Sequence, residues 1–162
     1  MKILLEIPLF KKKVSEDQQT QITNAVQELE YNFADAFNQL TKEKSKTIAI
    51  LKGNGQLRDV NIADFLKTLQ PHYNLAPFTL DSVISNPEST LQKLKAYDLI
   101  ISAKPNEAFT ENEKLVLDQY TMSGGKSLWL TEAMYMDKDS LYNTSGTSVS
   151  VAKDLNLSDF FF

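Results

Sequence analysis

Residues 47–132 read as a three-layer α/β unit with a doubly wound, mostly parallel sheet. Three observations predict this. Four compact apolar runs, "KTIAIL", "YNLAPFTL", "YDLIISA" and "KSLWLT", have the length of strands and alternate with three amphipathic segments. Leu99-Ile100-Ile101 is apolar without alternation, as a strand covered on both faces must be. Right-handed crossovers then place helices on both sides of the sheet.

Residues 1–46 precede this core. "MKILLEIPLF" is apolar but broken by Glu6 and Pro8, and it reads as a strand because no small-residue cleavage site follows. No stretch approaches the length of a membrane span. Ser15 and Gln18 form a capping-box pattern that predicts the start of one long helix. Ile22, Val26, Leu29, Phe33, Phe37 and Leu40 recur at steps of three and four, so a single apolar stripe is expected, with the Gln, Glu, Asn and Asp face toward water. "TKEKSK" closes this helix as a connector.

Within the core, "NIADFLKTLQ" predicts a helix stopped by Pro71. Pro77 marks the second strand as lacking a complete ladder on one side. Asn86-Pro87 opens the next helix with proline in its first turn. Thr110 and Glu113 form a second capping box, and Gly124-Gly125 stops the helix that follows. After Glu132 the periodicity fades, and residues 133–162 are expected to be an extension cut before the rest of a larger soluble region.

The composition excludes several functions. A net charge of -4 argues against a nucleic-acid binder, and the lysine clusters at 11–13 and 42–46 read as solvated connectors. With no cysteine there is no disulfide, thiol nucleophile or cysteine metal site. His72, the one histidine, falls in the turn before the second strand, at the amino end of the sheet. No G-x-S-x-G elbow exists to build a triad around it. Asp59, Asp64, Asp81 and Asp98 are scattered, so no metal site or cofactor is expected.

Ligands of doubly wound sheets sit at the carboxyl ends of the strands, where strand order reverses. With the order 2-1-3-4 this crevice lies between "KGNGQLRD" and "SAKPNEAFT". Gly53-Asn54-Gly55 fits two-thirds of a dinucleotide fingerprint, but Arg58 stands where the third glycine belongs. Gly53 and Gly55 are therefore expected to supply positive φ angles in a turn. "SGGKS" at 123–127 lacks the first P-loop glycine, since position 120 is Tyr120, and it runs from helix to strand. The crevice candidates are Gly53, Asn54, Gly55, Arg58, Lys104 and Glu132, with an anionic group the best-fitting ligand for Arg58 and Lys104. Glu132 alone, without a base or metal partner, is no mechanism.

The segments "IAILKGNGQL", "IADFLKTL", "LAPFTLDSV", "YDLIISAKPNEAFTENEKLVLDQYTMSGGKSLWL" and "DLNLSDFFF" closely resemble the gliding-motility-associated ABC transporter auxiliary (GldG) proteins, from about Gln21 to Phe162. The resemblance implies a glutamine-amidotransferase-like, flavodoxin-like fold shared with intraflagellar-transport proteins, without the amidotransferase cysteine. It implies a non-catalytic substrate-binding or protein-interaction component outside the cytoplasmic membrane of Bacteroidetes. The partners would be the membrane and ATPase subunits of the transporter, and the whole protein would be membrane-anchored. No substrate-contact motif travels with it. A small-molecule or sugar-binding or processing domain is the other reading, discriminated by a ligand touching Gly55, Arg58, Lys104 and Glu132. The apolar ending, Leu155, Leu157 and Phe160 to Phe162, must fold back over the sheet or find another molecule, and contacts between copies, such as a dimer, are expected through this ending or the stripe from Ile22 to Leu40.

Overall fold

A computed structural model describes Ile7, residues 17–136, Tyr142 and residues 149–161. Apart from Ile7, the initial apolar run lies outside the described residues, as do Ser15 and Phe162. The chain divides into two compact units, Met1–Lys44 and Ser45–Phe162. Among the described residues no helix is long and apolar enough to cross a membrane.

The first unit carries α1 (Gln18–Gln27) and α2 (Leu29–Thr41), interrupted at Glu28 rather than forming one helix. The N-cap is Asp17, whose carboxylate accepts the Thr20 N–H at 3.2 Å. The periodicity is as expected, and the stripe is open within the single chain. Ile22, Val26, Leu29, Phe33, Phe37 and Leu40 are all exposed, whereas Asn32 and Ala36 are buried. Periodicity reports which residues share a face. It does not report what covers that face.

In the second unit the order of elements is β1 (Thr47–Lys52), α3 (Ala63–Leu69), β2 (Asn74–Thr79), α4 (Pro87–Leu94), β3 (Leu99–Ala103), α5 (Glu111–Met122) and β4 (Lys126–Leu130). The four strands form one parallel sheet in the order β2-β1-β3-β4. Short 3-10 turns at Asp59–Ile62 and Asp81–Val83 precede α3 and α4. Pro77 lies on β2, which pairs only with β1, so its missing donor costs no ladder bond on the outer side.

Both faces of the central strands are buried, but against different partners. Ala49, Leu51 and Ile100 pack with Leu94 of α4 and with Val116, Leu117 and Tyr120 of α5. Ile48, Ile50 and Ile101 pack with Leu66 and Leu69 of α3. Alternate side chains of one strand thus serve two helical layers.

The caps behave as their chemistry dictates. Asn86 accepts the Ser89 N–H at 2.9 Å with Pro87 in the first turn of α4. Thr110 and Glu113 form the full reciprocal box on α5. Beyond α5, Gly124 has φ +93°, and Gly125 lies under the Tyr120 ring.

Two features after β4 depart from the expected fading of structure. β5 (Met134–Met136) and β6 (Ser150–Ala152) pair antiparallel as a separate ladder. The segment that follows returns to the sheet: Leu155 and Leu157 are buried in the α4/α5 core, and Phe160 packs against it. Trp129 of β4 meets Phe109, Phe160 and Phe161 edge-on at 5.4–5.5 Å between ring centres. Of the two outcomes expected for this apolar ending, folding back over its own sheet is the one observed for the described residues. A contact between copies is not needed to cover Leu155 and Leu157.

Candidate functional site

The crevice is built from the loops after β1 and β3. Gly53 and Gly55 have φ +114° and +66°, so both occupy backbone regions that a side chain disfavours. A Cβ on Gly55 would stand 3.1 Å from the Asn106 side chain, which makes the second glycine a close approach between the two loops. Asn54 between them is buried, 5% exposed, although its residue type favours solvent.

Burial of this amide is compensated bond by bond. Its carbonyl accepts the N–H groups of Asn106 and Glu107 at 3.0 and 3.1 Å. Its own N–H donates to the Gln56 side chain at 2.9 Å, and its Nδ2 donates to Glu113 Oε1 at 3.2 Å. Asn106 returns a bond to the Gly55 carbonyl at 3.1 Å, and the Leu57 N–H reaches the Ala103 carbonyl at 3.0 Å. The two loops are thereby stitched together across the switch point.

The first turn of α5 would otherwise present free N–H groups to an anion. Glu113 supplies that negative charge from within. Its Oε2 accepts the Thr110 N–H at 2.7 Å and the Thr110 hydroxyl at 2.9 Å, while Oε1 holds Asn54. On the β1 side, the loop leads into a 3-10 turn whose Asn61 N–H is taken by the Arg58 carbonyl at 2.9 Å. A cradle for a pyrophosphate is not formed there.

The candidate residues separate into three groups. Gly53, Asn54 and Gly55 form the stitched turn. Lys104, at φ +51°, is paired with Glu132 at 2.9 Å, so its charge is already matched. Arg58 is exposed. The nearby cation with a defined partner is Lys52, which pairs with Asp59 at 2.6 Å and donates to the Leu57 carbonyl at 3.0 Å. Asp98 accepts the Thr47 N–H at 2.8 Å at the other end of the sheet, and among the described residues no acidic or histidine cluster could hold a metal.

Sequence reasoning missed a polar cluster at the start of α5. Lys114 is 6% exposed, and its Nζ contacts Asp159 at 2.9 and 3.0 Å, Glu111 at 2.9 Å and Asn156 Oδ1 at 3.4 Å. Asn156, at φ +55°, donates to the Phe109 carbonyl and to Glu111, both at 2.9 Å. Hydrogen bonds from Lys114 hold the Asp159 carboxyl below its usual range. Those from Asn156 and then Lys114 lower Glu111, and Asp159 and then Glu111 raise Lys114. The cluster borders a hollow of about 410 Å³ that includes Leu115, Asp118 and Phe160. The sequence signal was Asn156 between Leu155 and Leu157 in "DLNLSD", a polar residue with left-handed tolerance between two core residues.

The family comparison supports an auxiliary role in transport. A family model described as an ABC-type uncharacterized transport system matches residues 45–162, the whole of the second unit. No curated protein matches the sequence. Among solved structures, the mmIFT52 N-terminal domain is similar, with 27% sequence identity and a TM-score of 0.45. That similarity covers 54% of this chain and 37% of the other, so the chain spans well under half of that structure's length. With its parallel sheet, its stitched crevice and the family match over residues 45–162, the chain belongs to the ABC-type uncharacterized transport system family, the auxiliary components of ABC transporters.

Proposed function

We propose that this chain is a non-catalytic interaction module of an ABC transporter associated with gliding motility, working on the periplasmic side of the inner membrane. The observation that carries the choice of interaction over small-molecule binding is Asn54. Its buried amide and the Glu113 carboxylate fill the position at which a doubly wound sheet normally receives a ligand. The gliding-motility assignment rests on the resemblance of the segments from "IAILKGNGQL" to "DLNLSDFFF". The partners are the membrane and ATPase subunits of the transporter, and the contact lies on outer surfaces of the unit rather than in the crevice.

Binding of this chain to the detergent-solubilised transporter, immobilised through its ATPase subunit, tests the reading. Binding is expected, with an affinity unchanged by the double substitution Arg58→Ala/Lys104→Ala. Absence of binding overturns the proposal. Binding lost in the double variant returns the crevice to the role of site.

A further inference from the structure

On one face of the sheet the edge strand β4 has no helix over it among the described residues. α4 and α5 cover one face, while α3 alone covers the other, next to β1 and β2. Over the edge strand β4 this second face stays open among the described residues, with Leu128 and Leu130 both exposed. A hollow of about 330 Å³ is lined there by Ile48, Phe65, Leu99, Ile101 and Leu128. Phe65 and Leu128 are 40% and 39% exposed, large values for side chains on a sheet face.

The rim of this hollow is basic. A second hollow of about 290 Å³ adjoins it, sharing Lys46, Asp98 and Lys126 and adding Lys95. Asp98 is engaged by the Thr47 N–H. None of the three lysine side chains has an ion pair among the described residues. An apolar floor beside three ammonium groups fits an acidic amphipathic helix.

The same chain contains such a helix. α2 exposes Leu29, Phe33, Phe37 and Leu40, and its charged residues are Glu30 and Asp35. From Gln18 to Thr41 there is no basic residue at all. Thirteen residues of helix extend about 20 Å, close to the roughly 17 Å of a five-residue strand. One such helix alone falls short of the roughly 800 Å² per partner that stable interfaces bury, whereas reciprocal exchange doubles the contact.

We propose that α2 of a second copy of this chain docks on the open face of β4, its apolar side on Phe65 and Leu128 and its acidic residues toward Lys46, Lys95 and Lys126. Two copies exchange helices about a two-fold axis. Neither the crevice nor the transporter contact is needed for this assembly.

The cysteine-free chain allows a direct test. Sedimentation at about 100 µM, a concentration that populates micromolar complexes, is expected to show a dimer. Phe37→Asp and Leu128→Asp, both at exposed positions, are each expected to weaken it at least tenfold. In an equimolar mixture of Phe37→Cys and Leu128→Cys chains, a short bis-maleimide is expected to yield chiefly the mixed 37-to-128 product. A monomer at that concentration overturns the proposal. So does a dimer that links only 37 to 37 or 128 to 128.

Discussion

Lys114 on α5 and Asp159, 45 residues further along the chain, form an ion pair at 2.9 Å in which the lysine side chain is 8% exposed and the aspartate 68%. The pair joins a buried cation to a surface anion. Removing the anion leaves the cation with Glu111 and Asn156 as partners. Removing the cation leaves Glu111 and Asp159 without it. Lys114→Met is therefore expected to lower the urea midpoint and to loosen residues 155–160. Trp129, the one tryptophan, touches Phe160 and Phe161 and reports that loosening as a shift in its emission. Unchanged emission and midpoint would show that the pair does not hold the segment.

The same cluster sets a pH dependence. Asp159 and Glu111 have lowered carboxyl pKa values, so their stabilisation is complete above the ordinary values of 3.8 and 4.5 and is lost as pH falls through the lowered ones. Lys114 is raised, so its contribution is complete below 10.5 and is lost as pH climbs beyond it. The protein should lose stability at both extremes. Asp159→Asn should flatten the acid limb in a comparison of urea midpoints from pH 7 down to 2.

The glycines after α5 give a contrast. At Gly124 a Cβ would meet nothing within 4 Å, and the φ of +93° is the sole obstacle. At Gly125 a Cβ would stand 2.4 Å from the buried Tyr120 ring. That ring is fixed by its hydroxyl, which donates to the Tyr97 carbonyl at 3.0 Å. Gly125→Ala is expected to cost about 1–3 kcal/mol through overpacking, and Gly124→Ala about 1 kcal/mol through backbone strain. Equal costs in urea denaturation would contradict the assignment.

For the crevice, Asn54→Ala removes the donor to Glu113 and an amide that a buried site had already compensated. The expected loss is on the order of 1–3 kcal/mol. ATP–Mg, NAD and NADP are expected to show no heat of binding at about 1 mM, the weak end of the affinity scale. Micromolar binding of any of them would reopen the turn as a nucleotide site.

Ser102 on β3 and Trp129 on β4 are register partners, and both bury a polar atom that makes no hydrogen bond among the described residues. A lone hydroxyl in an apolar layer is a cost. Ser102→Ala is expected to leave stability unchanged or to raise it by up to about 1 kcal/mol. A loss of the same size, measured by thermal unfolding, would reveal a partner for that hydroxyl.

The strands and their order were legible because parallel strands announce themselves as short apolar runs between capped helices. Asn86-Pro87 and Thr110/Glu113 act locally, within one turn, and their chemistry is complete in the sequence. The polar cluster was not legible, since Lys114 reads as an ordinary helix lysine until Asp159 is brought beside it. The stripe on α1 and α2 was legible only in part. Its spacing is correct for a helix, yet no local rule says whether a partner lies over Phe33 and Phe37. Asn54 shows the same limit in the crevice, where its burial depends on Asn106 and Glu107 from the loop after β3.

Leu51 and Leu155 lie in one apolar cluster, yet the ribosome makes them on the order of a hundred residues apart. At about 5–20 residues per second, the face of β1 that Leu155 helps to seal stays open for roughly 5–20 seconds of synthesis. Released chains ending at Ser150 should therefore be held by chaperones and cut readily by protease, while released chains extended through residue 161 should resist both. Closure of this core waits for a short return segment rather than for its longest helix.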